Sequence, residues 1–152
     1  MTLLSHVRRG AGEPLLLIHG LGGARVVWEP VLDQLAAERD AIAVDMPGFG
    51  ASPPLPAGVE PTPRALAAAL AGFLDALGIE RAHVAGNSLG GWVAIELARQ
   101  GRARSVTGVC SAGFWRRPLG PRASRARDLG RVLSPLAGLA VRSARVRQLL
   151  LA

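Results

Sequence analysis

The sequence has 152 residues, 49% of them hydrophobic and 19% charged, with a mean hydropathy of +0.28, which fits one well-buried core and excludes both a disordered chain and two large domains. Its single cysteine, Cys110, excludes an internal disulfide framework and a paired-thiol redox or zinc site. The net charge of +7 comes from 18 arginines and no lysine, and it is uneven: residues 99–152 hold twelve of those arginines against the single carboxylate Asp128.

In chain order, residues 3–8 are expected to form an edge strand, with Gly10 and Gly12 in the turn after it. Residues 14–19, Pro-Leu-Leu-Leu-Ile-His, form a short apolar run closed by Gly20, the pattern of a strand buried on both faces. Beyond the glycine-rich turn 20–23, Trp28, Val31, Leu32 and Leu35 recur at helical spacing while Glu29, Asp33, Gln34 and Glu38 face outward. Residues 41–45 read as a second buried strand, followed by a turn built from Pro47, Gly48 and Gly50. The five prolines of 51–63 predict a surface loop, and Thr62 with Pro63 predicts the start of a helix whose apolar face is Leu66, Leu70, Phe73, Leu74 and Leu77, stopped by Gly78. A strand over 82–87, an enclosed helix over 88–99 and a strand over 106–112, with Cys110 inside it, complete an alternation that calls for a mostly parallel sheet with helices on both faces. Trp92 and Cys110 are expected in the core. Residues 122–134 and 136–150 are expected to be short helices separated at Pro135, and no further strand follows, so the sheet looks unfinished.

The chemistry concentrates at residues 86–90, Gly-Asn-Ser-Leu-Gly, set between a strand and a helix. Small residues two before and two after Ser88 allow the tight turn that pushes a serine hydroxyl outward as a nucleophile; the alternative is a serine that only caps the helix. The Leu89 amide, at a helix N-terminus, is one donor for an oxyanion. Leu21, in the glycine-rich segment His19-Gly20-Leu21-Gly22-Gly23, is the candidate for the second, against an ordinary glycine turn. His83 lies at the opposite end of its strand from Ser88 and is expected at the surface, as is His6.

His19-Gly20-Leu21-Gly22-Gly23, then residues 45–50 (Asp-Met-Pro-Gly-Phe-Gly), then residues 86–91 (Gly-Asn-Ser-Leu-Gly-Gly), in that order and each at a strand end, resemble the three landmarks of the α/β-hydrolase superfamily, over about residues 3–115. The resemblance implies an incomplete α/β-hydrolase-type sheet in residues 1–112 and the beginning of a helical cap in 113–152. It implies Ser88 as nucleophile, the Leu21 and Leu89 amides as oxyanion donors, and loop-organising roles for His19, Gly20, Gly22, Asp45, Gly86 and Gly90. Trp28, Phe114 and Trp115 become candidates for lining a substrate pocket, with core packing the favoured reading for Trp28 and packing anchors the alternative for the other two.

The expected activity is hydrolysis of a carboxylic ester or related carbonyl compound through an acyl-enzyme, on a small hydrophobic substrate, with no metal or cofactor. Alternatives are C–C bond hydrolysis, which Asn87 beside Ser88 accommodates, a cofactor-free haloperoxidase, and a non-catalytic protein that keeps the sheet as a binding scaffold. The departure from the family is plain: no histidine follows Ser88, and the only later carboxylates are Glu96 and Asp128. A serine needs an imidazole and an orienting acid to act as a nucleophile, so the expectation is a truncated form of the enzyme, with a third reading in which His19 serves as base. No nucleic acid partner is expected, and contact of residues 116–147 with an anionic membrane is a minor alternative. No run approaches the roughly 18 apolar residues of a spanning helix and no secretory pattern opens the sequence, so a cytoplasmic location is expected.

Overall fold

The computed structural model describes residues 3–114. Five strands, β1 (His6–Arg9), β2 (Pro14–Ile18), β3 (Asp40–Val44), β4 (Ala82–Asn87) and β5 (Ala103–Val109), form one sheet in the order β1-β3-β2-β4-β5. β1 runs antiparallel to β3, and every other neighbouring pair is parallel. A 3-10 turn at Arg25–Trp28 leads into α1 (Glu29–Ala36); α2 (Pro63–Ala76) joins β3 to β4, and α3 (Leu89–Arg99) joins β4 to β5.

Side chains alternate across the central strand and so find different helices. Leu17 packs with Ala41, Ala43 and Leu32 on the α1 face. Leu16 and Ile18 point the other way, into a larger cluster with Ile42, Val44 and Val84, with Leu66, Leu70, Phe73 and Leu74 from α2 and Val93, Ala94 and Leu97 from α3. This is the mostly parallel sheet with helices on both faces that the alternating pattern calls for. Thr62 starts α2 as expected, its hydroxyl accepting the Ala65 N–H at 3.2 Å.

The strand order contains one reversal. From β2 the chain crosses to β3 on one side, then returns to lay β4 on the other side of β2. The loops leaving the carboxyl ends of β2 and β4 therefore diverge, and a crevice opens between them, the usual place for a ligand in an open α/β sheet.

Four local expectations are corrected. The first strand is His6–Arg9 rather than 3–8, because Leu4 is buried and the Ser5 N–H is taken by Ser52 Oγ at 2.9 Å, which ties this segment to the turn after β3. The last strand begins at Ala103, upstream of the apolar residues, and ends at Val109. Cys110 lies past its end with φ +47 and is exposed, not in the core, since β5 is the outermost strand among the described residues. Val31 is exposed although it sits at helical spacing with Leu32. It borders a groove of about 560 Å³ on the α1 face, lined also by Leu15, Leu17, Ala85, Thr107 and Val109. The expectations for Trp115 and for helices over 122–134 and 136–150 fall outside the described residues. Among the described residues, no helix is long and apolar enough to cross a membrane.

Candidate active site

Ser88 stands between the last residue of β4 and the first of α3 with φ +50 and ψ −111, a conformation that side chains with a Cβ rarely adopt. The surroundings over-determine it. Its N–H donates to Val109 O at 2.9 Å, and its carbonyl accepts from Ala112 N at 2.9 Å, Gly91 N at 3.1 Å and Trp92 N at 3.3 Å. The hydroxyl makes no capping bond to α3, so a purely capping serine does not describe it. The glycines are required by close approach: a Cβ on Gly86 would overlap the Gly90 carbonyl group, and one on Gly90 would lie 2.6 Å from His19 O and overlap Ile18 O. The turn is thus pressed against the end of β2.

Gly20 approaches from the other side of the crevice; a Cβ there would lie 2.9 Å from Asn87 Oδ1 and 3.4 Å from Ser88 Cβ. The turn 20–23 is closed by Gly23 N donating to Gly20 O at 3.1 Å, with Gly22 at φ +73. The Leu89 N–H is among the first four of α3, which have no acceptor within the helix. Between these two turns lies a cleft of about 310 Å³ lined by Gly20, Leu21, Gly23, Val27, Trp28, Asn87 and Val109.

His19 is fully buried, and both ring nitrogens are committed. Nδ1–H donates to Gly20 O at 2.7 Å, and Nε2 accepts the Met46 N–H at 3.1 Å. Because a backbone carbonyl only accepts and an amide only donates, these two bonds fix the tautomer. Taking a proton on Nε2 would sacrifice the Met46 bond. His19 is therefore a brace between the loops after β2 and β3, and the reading of it as a general base fails.

Asp45 is the second brace. Fully buried, it accepts from Arg25 N at 2.6 Å and Ala51 N at 3.1 Å, and it forms an ion pair with the Arg25 guanidinium. Burial alone would raise its carboxyl, but the two amides and the guanidinium outweigh it and hold the group below the usual carboxylate range. Arg25 was not anticipated from the sequence. It pairs with a residue twenty positions away because β2 and β3 are neighbours with Ile18 opposite Val44, which brings the segments beyond them together.

Of the candidate pocket residues, Trp28 serves both readings: it lines the cleft and packs on Leu17, Leu32, Ala41 and Ala43. Phe114 is 74% exposed and does not line the cleft. Val27, Asn87 and Val109 do, and of these only Asn87 drew attention in the sequence. Among the described residues, no group of three or more His, Cys, Asp or Glu side chains is disposed to hold a metal ion.

Residues 13–130 match the family described as alpha/beta hydrolase fold. Over 112 residues the chain is 44% identical to the dihydrolipoyllysine-residue acetyltransferase component of an acetoin cleaving system from Cupriavidus necator, covering 72% of this chain and 29% of that one. It is 42% identical over 109 residues to 2-hydroxymuconate semialdehyde hydrolase from Pseudomonas sp. strain CF600, covering 68% and 38%. A thermophilic esterase from Thermogutta terrifontis superposes with a TM-score of 0.68 at 32% identity, over 86% of this chain and 47% of the esterase. The chain spans 29% and 38% of the lengths of those two curated relatives.

Proposed function

Because the chain belongs to the α/β-hydrolase fold family, we propose that it carries the nucleophile half of a serine hydrolase acting on a carboxylic ester or related carbonyl substrate. The observation that carries this reading is Ser88, held at positive φ by its neighbours with its hydroxyl uncommitted among the described residues, at the crevice where the turns after β2 and β4 meet. In the reaction Ser88 Oγ attacks the carbonyl carbon, the Leu21 and Leu89 amides receive the oxyanion, the alcohol leaves, and water releases the acid from the acyl-enzyme. The apolar walls of the cleft, Leu21, Val27, Trp28 and Val109, suit a small hydrophobic acyl group.

The proton acceptor is the missing piece. His19 is spent as a brace and no histidine follows Ser88. The working enzyme is accordingly a longer form in which an acid and a histidine stand C-terminal to this sequence. Under this reading residues 1–112 are the amino-terminal part of the core, residues 113–152 begin a helical cap, and the protein works in the cytoplasm. The esterase and the semialdehyde hydrolase support a carbonyl substrate without fixing which one.

The test is labelling by a fluorophosphonate, read on the tryptic peptide 82–99, whose only serine is Ser88. Label on that peptide is expected, weak in this chain and strong in the extended form, and absent from Ser88→Ala. An extended form that hydrolyses an aryl ester without labelling peptide 82–99 would refute the assignment.

A further inference from the structure

The wall of the cleft that faces Ser88 from the β2 side is a span with little stiffness of its own. Gly20-Leu21-Gly22-Gly23-Ala24 is mostly glycine, the residue with the most backbone freedom to lose on folding, and the turn is closed by Gly23 N–H donating to Gly20 O at 3.1 Å. Its place is set by what holds its two ends. At the first end, His19 Nδ1–H donates to Gly20 O at 2.7 Å while Nε2 accepts the Met46 N–H at 3.1 Å. At the second, Arg25 holds Asp45 twice, its N–H donating to Oδ1 and its guanidinium to Oδ2. Both ends of the span are thus tied to consecutive residues, Asp45 and Met46, of the turn after β3.

The second attachment reaches further than an ion pair. Arg25 Nη1 also donates to Ser5 Oγ at 2.9 Å. Ser5 N–H donates to Ser52 Oγ at 2.9 Å, and Ser52 Oγ donates to Asp45 O at 2.7 Å, so the guanidinium closes a ring of hydrogen bonds through the segment before β1 and the turn after β3. The bond from the Arg25 N–H survives replacement of the side chain, but a single bond leaves a hinge, whereas two bonds to the two oxygens of one carboxylate fix an orientation. Arg25 also opens the 3-10 turn Arg25–Trp28, whose Val27 and Trp28 continue the same cleft wall. It stands between the two stretches of lining and does not itself line the cleft.

We propose that Arg25 is a positioning residue for the Ser88 cleft: by closing the ring on Asp45 and Ser5, its guanidinium sets the wall 20–28 at its working distance from Ser88. The proposal rests on the reading of Ser88 as the nucleophile. Arg25 acts through the wall, with no contact to the substrate, and its loss lowers reactivity at Ser88 by letting the wall swing on the remaining backbone bond.

The experiment compares the 152-residue chain with Arg25→Ala by two readouts. The first is independent of Ser88. The Trp28 indole N–H is buried with no hydrogen-bond partner among the described residues, so burial alone slows its hydrogen exchange, and NMR follows it beside the Ile42 amide in the middle of the sheet. In Arg25→Ala the indole is expected to exchange at least about tenfold faster relative to Ile42. The Arg25 side chain is 32% exposed, so millimolar guanidinium can enter the vacated place beside Asp45 and should restore slow exchange, while sodium chloride at the same concentration should not. The second readout is the fluorophosphonate label on peptide 82–99, expected to form about tenfold more slowly in Arg25→Ala, as a small displacement of a positioning group would cause, with the same rescue. Arg25→Lys keeps a cation without the fork; it should fall between, and it carries both readouts if Arg25→Ala does not fold. Equal acceleration of the indole and Ile42 would be a general loosening of the fold and would overturn the proposal, as would an Arg25→Ala protein that guanidinium does not restore, or labelling within about twofold of the parent in the folded variants. An unlabelled parent would strike the Ser88 reading instead, and the indole exchange would still decide whether Arg25 holds the wall.

Discussion

Ser88→Gly is expected to make the protein more stable. Ser88 holds φ +50 with ψ −111, away from the left-handed helical basin, and a non-glycine residue held in such a region costs about 1–3 kcal/mol. Glycine removes most of that cost, since without a Cβ the region is open to it. The opposing effect is the greater freedom of glycine in the unfolded chain, about 0.4–1 kcal/mol. The side chain itself contributes little on the other side of the comparison, because its hydroxyl makes no capping bond. The difference is a net stabilisation of about 1 kcal/mol, or roughly 3–5 °C in Tm for a domain of this size. Ser88→Ala keeps the Cβ and therefore the strain, so it should stay within about 0.5 kcal/mol of the parent. Urea unfolding followed by circular dichroism on the three proteins separates these values. A Ser88→Gly protein no more stable than Ser88→Ala would show that the serine backbone carries no strain, and would remove the main physical reason for singling it out.

Gly90→Ala should destabilise by about 3 kcal/mol, because its methyl would meet the Ile18 and His19 carbonyls, which belong to the end of a central strand and cannot yield; a loss under about 1 kcal/mol in urea unfolding would contradict that packing. Asp45→Asn should cost about 3 kcal/mol at neutral pH by leaving the Arg25 guanidinium and an amide facing an NH2 group. The carboxyl is held low in the folded protein, so its contribution is fully present above the unfolded-state pKa near 4 and is lost as pH falls through the lower folded value. The stability gap between parent and Asp45→Asn should therefore narrow on acidification below about pH 4; a gap that widens there would reverse the sign of the argument.

How much of this was legible beforehand differs by element for physical reasons. β2, β3 and β4 are short apolar runs with a turn at each end, and α2 carries its own start and stop in Thr62 and Gly78, so local pattern is enough. β5 was misread because its first residues, Ala103, Arg104 and Ser105, are polar or small and gain their strand character from pairing with β4, not from hydrophobicity. The Leu3–Ser5 segment was misread for the converse reason: it is apolar enough for a strand, yet its polar backbone is used by Ser52. The Ser88 turn was legible because its need for small residues at fixed offsets is written within five positions. The braces were only half legible. His19 and Asp45 stand out at strand ends, but their partners Met46, Arg25 and Ala51 follow from which strands are neighbours, a fact of topology rather than of spacing. The hydrogen bonds of His83 to Glu13 and to Ser105 are less legible still, since together they join residues up to 92 positions apart that meet only in the assembled sheet.

The reversal in strand order also separates contacts that are local in sequence from contacts that are distant. β1, β2, α1 and β3 lie within the first 44 residues and pair only with one another on that side of the sheet. They need no more than short loop closures to form a three-stranded piece as soon as they leave the ribosome. β4 must then return across 68 residues to find the free edge of β2, with Leu17 opposite Ala85, and only then do Gly90 and the β2 carbonyls touch. The bonds that hold Ser88 at positive φ come from farther along the chain still, from Val109 and Ala112 at and beyond the end of β5. A chain ending before residue 109 would contain every residue of the larger core cluster and none of the β5 bonds that constrain the serine. The strained turn depends on contacts from the C-terminal end of the described segment, so it would be the first thing lost when β5 frays.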